Sequence, residues 1–333
     1  MADFRIFDGH NDLLSCLWAE NDRDGDGFFA GRPGDIDLAK CRAGGFAGGF
    51  FAVWNSNDPA HAPDPMASYR AFRAIDPDGA RRETAAQIAI LQRMTRARAD
   101  AIRLCQTADD IAAAEAAGAI AAILHLEGCE AIGADLDELY LYHAAGLRSL
   151  GPVWSRSNLF GHGVPFNFPA SPDTGPGLTA AGERLVRACD GLGVLIDLSH
   201  LNEAGFWDVA RLSDRPLVAT HSNAHALTPL TRNLTDRQLD VIRDSDGMVG
   251  LNFATSFLRK DGKQSADMGW EDTLSHLDHL IEHLGEDHVG LGSDFDGATV
   301  PQGIGDVTGL PNLQQAMLDH QYGEALVKKL SSE

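Results

Sequence analysis

The sequence predicts an α/β protein in which eight parallel strands form a (β/α)8 barrel of the TIM type. Eight short apolar runs of β type alternate with longer helical runs along the chain. Such alternation implies parallel strands, and strands that are apolar almost throughout imply burial on both faces. An open doubly wound sheet is the alternative, but no GxGxxG sequence follows any predicted strand. The barrel is therefore favoured, with its functional site at the carboxyl ends of the strands.

The predicted strands have apolar interiors and polar or glycine-containing ends. In chain order they are 5–10, 44–54, 119–128, 146–154, 193–200, 216–222, 247–253 and 288–295. The alanine- or leucine-rich runs between them predict helices over 80–103, 107–117, 179–191, 202–213, 235–244 and 270–285. The irregular stretch 155–177 is rich in glycine and proline. A loop of that length after a strand is more often functional than a spacer.

Composition limits the classes of protein to consider. The 333 residues suffice for one large α/β domain, and we expect a single barrel domain over residues 1–333. Hydrophobic residues make up 44% of the chain and charged residues 23%, which is typical of a globular protein. The formal net charge of −21 argues against binding to nucleic acid or to anionic membrane surfaces.

The expected location is the cytoplasm. No apolar run approaches the roughly 20 residues that a membrane span needs, and the first residues, "MADFRIFDGHND", contain no hydrophobic signal region. The five cysteines are scattered and form no CxxC pair. We therefore expect reduced, buried thiols and not a disulfide framework or a zinc knuckle.

Polar, metal-competent residues stand at the ends of five predicted strands. They are His10, Asp12, Glu127, His200, His221 and Asp294. Alternate residues of an extended chain point to the same side, so His10 and Asp12 are expected to aim at one point. Since barrel strands end at a common mouth, all six are expected to converge there. Buried carboxylates without partners cost several kcal/mol each, so the convergence predicts bound cations.

Charge counting favours two metal ions. Asp12, Glu127 and Asp294 bring three negative charges, and a single Zn²⁺ would leave the pocket negative. Two Zn²⁺ ions and a bridging hydroxide come close to neutrality. Nitrogen and carboxylate donors without thiolate suit zinc, with manganese or cobalt also tolerated.

Six segments resemble the membrane (renal) dipeptidase family of the amidohydrolase superfamily. They are "DGHNDL" (8–13), "LHLEG" (124–128), "DLSHLN" (197–202), "ATHSNAHAL" (219–227), "RNLTDRQL" (232–239) and "GLGSDFDG" (290–297). The segments follow the family order over nearly the whole chain. The resemblance implies a two-zinc barrel enzyme that hydrolyses dipeptides and tolerates a D-residue at the C-terminal position. It also implies a homodimer.

The resemblance implies a role for each metal ligand. His10 and Asp12 would hold one zinc, and His200 and His221 would hold the other. Glu127 and a hydroxide would bridge the two ions.

Two further positions would act on the substrate. By the same resemblance, Asp294 would be the general acid/base and Arg232 would bind the C-terminal carboxylate. Where the family carries a substrate-binding histidine near the end of the fourth strand, this sequence has Trp154. His162 or Arg156, from the long loop, is the expected substitute.

Two alternative functions stay open at this point. One is a non-peptidase amidohydrolase that acts on a cyclic amide, lactam or ester bearing a carboxylate. The other is a catalytically inactive metal-binding or scaffold protein. Arg232 favours a substrate with a free carboxylate, and Asp294 has no evident use in a protein without catalysis.

Other histidines are interpreted as structural. The segment "HLIEH" (279–283) matches H-x-x-E-H, an inverted zinc-protease motif. The favoured interpretation is a packed barrel helix whose His276, His279 and His283 lie on an outer, largely polar flank. His125 is interpreted as out of phase with the inward-facing carboxylate of its strand and therefore as structural.

Overall fold

Eight parallel strands form the nearly closed barrel that the sequence predicts, in a computed structural model that describes residues 4–56 and 74–332. The strands are β1 (Ile6–Asn11), β2 (Phe46–Trp54), β4 (Ile120–Glu127), β5 (Leu147–Gly151), β6 (Leu195–Ile196), β7 (Val218–Ala219), β8 (Met248–Asn252) and β9 (Val289–Gly292). The order around the barrel is β6-β5-β4-β2-β1-β9-β8-β7. A parallel bridge between Asp197 and Val218 joins the two outermost strands of this path.

Helices cover the outside of the barrel. They are α1 (Leu13–Ala19), α2 (Asp26–Ala30), α3 (Leu38–Gly44), α4 (Pro77–Ala97), α5 (Ala108–Ala116), α6 (Asp137–Ala144), α7 (Ala180–Leu192), α8 (Glu203–Leu212), α9 (Asp236–Asp244), α10 (Thr255–Leu258), α11 (Trp270–Leu284), α12 (Leu310–Asp319) and α13 (Glu324–Ser332). Several begin at side-chain caps that satisfy the first backbone N–H groups, as at Thr107, Thr179 and Asn202.

The structure corrects three predicted boundaries. The predicted helix 80–103 ends at Ala97, and its last residues form a short strand, β3 (Ile102–Leu104), which pairs with β4 beside the barrel path. The predicted strands 193–200 and 216–222 shorten to two residues each in β6 and β7. Asp197 still bridges to Val218, and the residues after β6 and β7 lead on to His200 and His221.

The barrel strands pack closely just before the carboxyl-terminal mouth of the barrel. All eight residues of β4 are buried. A Cβ atom at Gly9, Gly250 or Gly292 would collide with the carbonyl oxygen of Thr220. Glycine at these positions lets β1, β8 and β9 approach the end of β7 closely, immediately before His221.

The cysteines agree with the prediction, because all five are buried and unpaired. In the described ranges, no helix is both long and apolar enough to cross a lipid bilayer.

Candidate metal centre and active site

Glu127, the last residue of β4, lies at the centre of the converging side chains. One of its oxygens, Oε1, is 2.9 Å from His200 Nε2, 3.5 Å from His221 Nε2 and 3.7 Å from His10 Nε2. Two ligands of one tetrahedral Zn²⁺, each 2.0–2.1 Å from the ion, are about 3.4 Å apart. The spacing of these donors from Glu127 is therefore of the size expected between ligands of a metal ion.

Asp12 and Asp294 complete the group on the side of β1. His10 Nε2 lies 3.4 Å from Asp12 Oδ2, and donor atoms of His10, Asp12 and Asp294 all lie within 4.8 Å of one another. The structure thus brings all six predicted residues together, in one group around His10 and Asp12 and another around His200 and His221. The Glu127 carboxylate touches both groups.

Two of these residues have left-handed backbone conformations. The φ angle is 71° at His200 and 60° at Asp294. Such conformations cost non-glycine residues of order 1–3 kcal/mol and cluster at functional sites. At Asp294 the surrounding backbone enforces the turn, because the Asp294 N–H donates to the His10 carbonyl at 3.0 Å.

Hydroxyl groups orient the two histidines that follow β6 and β7. Thr220 Oγ1 donates to Asp197 Oδ2 at 2.6 Å, so it accepts from Nδ1–H of His221, which is 2.8 Å away. Nε2 of His221 is then left with its lone pair directed at the metal centre. Ser155 Oγ lies 2.7 Å from Nδ1 of His200 in the same arrangement. Sequence analysis missed these three supporting residues.

This chain of hydrogen bonds gives a testable prediction for Thr220. Thr220→Val removes the acceptor for Nδ1–H and is expected to weaken metal binding at the His221 position by about 10–100-fold, the usual cost of losing such a partner. Thr220→Ser keeps the hydroxyl and serves as the matched control. Competition with a chromogenic chelator measures the affinity. Equal affinities in the valine and serine variants would show that the hydroxyl does not orient His221.

The converging side chains are buried close together, and their charges affect one another. Both ring nitrogens of His10 are buried and make no hydrogen bond to any residue that the structure describes. Burial lowers the pKa of His10, but attraction by Glu127 and Asp12 outweighs it and raises that pKa to about 10. Burial also raises the pKa of Glu127 well above its ordinary value. A divalent cation would replace the proton on His10 and balance the charge of Glu127, and this set of nitrogen and carboxylate donors suits an ion of the zinc type.

Asp294 lies beside His10 and Asp12 and also reaches the pocket. Its carboxylate lines the pocket above the centre, and burial raises its pKa. Asn252 Nδ2 donates to Asp294 Oδ2 at 2.9 Å, and Asn252 is itself held by Asn223 through two hydrogen bonds. Sequence analysis did not assign Asn252, although its place at the end of β8 is the signal that identified the other residues.

The pocket above the centre has a polar floor and aromatic walls. Asp12, Glu127, His200 and Asp294 form the floor, and the walls include Trp54, Trp154, Phe166 and Phe257. The wall rings are in contact, with centroids 5.5 Å apart for the two tryptophans and 5.3 Å for the two phenylalanines. The arrangement suits a small substrate with one polar, reactive group and apolar side chains.

The Arg232 guanidinium lies 5.7 Å from the ring of Phe257 in this wall, and Arg232 is not among the pocket-lining residues. It donates from Nη1 to Ser222 Oγ at 2.6 Å and from Nη2 to the His221 carbonyl at 2.8 Å. Its Nε–H is buried without a hydrogen-bond partner among residues 4–56 and 74–332. Burial lowers the pKa of Arg232 to about 10. The guanidinium thus keeps one unused donor in a dry environment.

Arg156 and His162, the two side chains expected to replace the family histidine, lie in different places, and neither lines the pocket. The guanidinium of Arg156 lies 5.0 Å from the Trp154 ring and 5.6 Å from the Trp54 ring, directly behind the pocket wall. Its Nε donates to Glu130 at 2.6 Å. Nδ1 of His162 lies 3.0 Å from the Gly177 carbonyl, and His162 does not line the pocket.

Two interpretations of histidines need correction. His276 is 1% exposed and belongs to the core, where its Nδ1 accepts from the Ala224 N–H, so it does not lie on a polar flank. His125 is in phase with Glu127, because residues two apart on a strand share a face. Its ring lies inside the barrel, 5.6 Å from that of His10 in an edge-to-face contact. Nδ1 of His125 is 2.9 Å from Ser149 Oγ.

The chain is similar to known dipeptidases. The family model of the membrane dipeptidases, peptidase family M19, matches residues 1–333. The solved structure of a metallopeptidase from Rhodobacter sphaeroides, liganded with a phosphinate mimic of the dipeptide L-Ala-D-Ala, is 56% identical with a TM-score of 0.94. That match covers 99% of this chain and 97% of the other.

Two sequence relatives agree with this match. An uncharacterised protein of Klebsiella pneumoniae is 48% identical over 244 residues, which are 73% of this chain and 90% of that protein. A dipeptidase of Claviceps purpurea is 29% identical over 327 residues, which are 97% of this chain and 73% of that protein. The predicted family and barrel are confirmed: the chain belongs to the membrane dipeptidase family, peptidase family M19, and is a metallo-dipeptidase of that family.

Proposed function

We propose that the protein is a two-zinc dipeptidase that cleaves small dipeptides, including those with a D-residue at the C-terminal position. The observation that carries the proposal is the convergence of three carboxylates, Glu127 among them, and three histidines at one place beneath an aromatic pocket. The donor set is the one that zinc prefers, and three negative charges match two divalent ions better than one.

The metal ligands divide into two pairs with a shared carboxylate. His10 and Asp12 would hold one ion, His200 and His221 would hold the other, and Glu127 would contact both. When bound, such ions generate hydroxide from water near neutral pH and polarise the scissile carbonyl group.

Asp294 is the residue proposed to handle protons. Its carboxylate lies between the centre and the pocket, where it can accept a proton from the attacking water and then deliver it to the departing amine. The hydrogen bond from Asn252 to Oδ2 fixes the carboxylate plane. One oxygen is thereby committed to Asn252, and the other is left to carry the proton.

Arg232 is proposed to recognise the C-terminal carboxylate of the substrate. Its unpartnered Nε–H supplies a donor, and its buried positive charge attracts an anion. The aromatic walls then enclose the apolar side chains. The Rhodobacter sphaeroides structure holds a mimic of L-Ala-D-Ala. We infer from this similarity that the pocket of the present protein also accepts a D-residue at the C-terminal position.

A substrate panel tests the proposal. Protein stripped of metal and then reloaded with Zn²⁺ is expected to hydrolyse L-Ala-D-Ala, with stripped protein inactive. The C-terminal amide of the same dipeptide is expected to react about 10–100-fold more slowly, because a charge-assisted hydrogen bond of about 1.5–3 kcal/mol is lost. Arg232→Lys is expected to be damaging too, since a point charge does not replace a planar donor. Chromatographic quantification of released alanine gives the rates.

Each alternative has its own signature in this panel. Equal rates on the free dipeptide and its amide would remove carboxylate recognition by Arg232. Turnover of a carboxylate-bearing lactam or cyclic amide, without turnover of dipeptides, would assign a non-peptidase amidohydrolase. Stable binding of metal without turnover of any substrate would support the inactive scaffold.

A further inference from the structure

A second group of metal-competent side chains lies on the outside of the barrel, between helices α9 and α11. His279 and His283 are one turn apart on α11 and face Asp236, the first residue of α9. Nε2 of His279 lies 2.8 Å from Asp236 Oδ1, and Nε2 of His283 lies 3.8 Å from Asp236 Oδ2. Two histidines and a carboxylate from two different helices thus point at one place.

The spacing of the three donors suits a metal ion. Their ligand atoms lie within 4.8 Å of one another, and the two measured separations lie on either side of the roughly 3.4 Å expected between ligands of a tetrahedral zinc ion. The separation of four residues places both imidazoles on one face of the helix. Their ring centroids are 4.6 Å apart, so both rings reach the same volume.

A neighbouring carboxylate supports His283. Nδ1 of His283 lies 3.3 Å from Asp240 Oδ1, one turn further along α9. A carboxylate on the far nitrogen of a histidine fixes its tautomer and leaves Nε2 free for a metal, which is the usual support of a histidine ligand. The arrangement therefore provides three ligands and a partner that orients one of them.

We propose that Asp236, His279 and His283 bind a divalent transition-metal ion, of which Zn²⁺ is the best match, at a site separate from the active centre. The two imidazole donors exclude Mg²⁺ and Ca²⁺, which take oxygen ligands. The side chains of His279, His283 and Asp236 are 16%, 23% and 45% exposed, so an ion has access from solvent and water can complete its coordination.

The site is a clamp between helices and not a second catalytic centre. Glu282, the glutamate of the H-x-x-E-H segment, is exposed and lies outside the cluster, and the third ligand comes from another helix. An ion at this place ties the end of α11 to the start of α9. Asp236 follows Arg232 by four residues, so the clamp anchors the segment that carries the proposed substrate-binding arginine.

Calorimetric titration of Zn²⁺ into the full-length protein tests the clamp. The active centre is loaded first, and loosely bound metal is removed by dialysis. Wild-type protein is expected to take up one further equivalent of Zn²⁺. His279→Gln and His283→Gln are each expected to weaken this binding at least about tenfold, and the double variant is expected to abolish it.

His320→Gln is the matched control. Nε2 of His320 lies 2.9 Å from Asp278 Oδ2, close to the 2.8 Å between His279 and Asp236. Among residues 4–56 and 74–332, however, His320 and Asp278 belong to no group of three side chains that could hold a metal ion. The control is expected to bind the further equivalent as wild-type does. Since the comparison is between variants that leave the active centre intact, its outcome does not depend on how many ions that centre holds.

Hydrogen exchange supplies a second measurement. Added Zn²⁺ is expected to slow amide exchange in the first turn of α9 and the last turn of α11 in wild-type protein and not in the double variant. Identical titrations for wild-type and double variant would overturn the proposal, as would an equal loss of binding in His320→Gln. Asp236 and His279 would then form an ion pair only.

Discussion

Asp294→Asn is expected to lower kcat by about 10²–10⁴, the contribution of a positioned acid–base group, while KM changes little. Asparagine has nearly the shape of aspartate but cannot carry a proton between the attack of water and the departure of the amine. The hydrogen bond from Asn252 to Oδ2 can persist, because the asparagine side-chain oxygen accepts in the same place. The left-handed backbone at this position also tolerates asparagine well. The fold and both metal ions are therefore expected to remain.

The same preparation separates two roles of Asp294. If the carboxylate only ligates a metal, zinc content should fall in step with activity in the asparagine variant. Zinc measured by atomic emission and kcat measured on L-Ala-D-Ala decide between these outcomes. Full metal content with near-normal turnover would refute both roles. Asn252→Ala leaves Asp294 in place but removes its fixed orientation, so a smaller fall in kcat is expected there.

The convergence of the ligands could be predicted from sequence because barrel topology determines it. His10, Glu127, His200 and His221 are far apart in the chain, yet each follows an apolar strand, and parallel barrel strands end at one mouth. A short pattern of residues was therefore enough to place them. The exact strand lengths were beyond such a pattern: His200, for example, has a left-handed backbone conformation, and no glycine marks that turn in the sequence.

The supporting residues were beyond prediction for a different reason. Thr220 can accept the hydrogen bond from His221 because its own hydroxyl proton is donated to Asp197, 23 residues earlier in the chain. The prediction of a polar flank for His276 is wrong because helical periodicity does not show which loop packs on the helix. The N–H of Ala224, in that loop, donates to Nδ1 of His276. In both cases the hydrogen bond joins two segments that are distant in the chain and come together only in the folded protein.

Glu127→Ala is expected to deplete both metal ions, with each affinity lowered by more than about 100-fold, since loss of a ligand costs more than loss of its orienting partner. Oε1 of Glu127 lies within 3.7 Å of Nε2 of His10, His200 and His221, so it reaches members of both proposed ligand pairs. Removing this carboxylate also removes one of the three negative charges proposed to bind the ions. His221→Ala touches one pair only and is expected to empty one site preferentially.

Elemental analysis of protein purified without chelator measures the difference, with about two ions expected per wild-type chain, about one for His221→Ala and few for Glu127→Ala. Circular dichroism checks the fold, which is expected to persist because the interior of β4 remains apolar and buried in both variants. Activity is expected to vanish in Glu127→Ala and to return only at high added Zn²⁺, because one carboxylate contacts both groups of ligands. A Glu127→Ala protein that keeps one tightly bound ion would contradict the shared position and assign Glu127 to a single site.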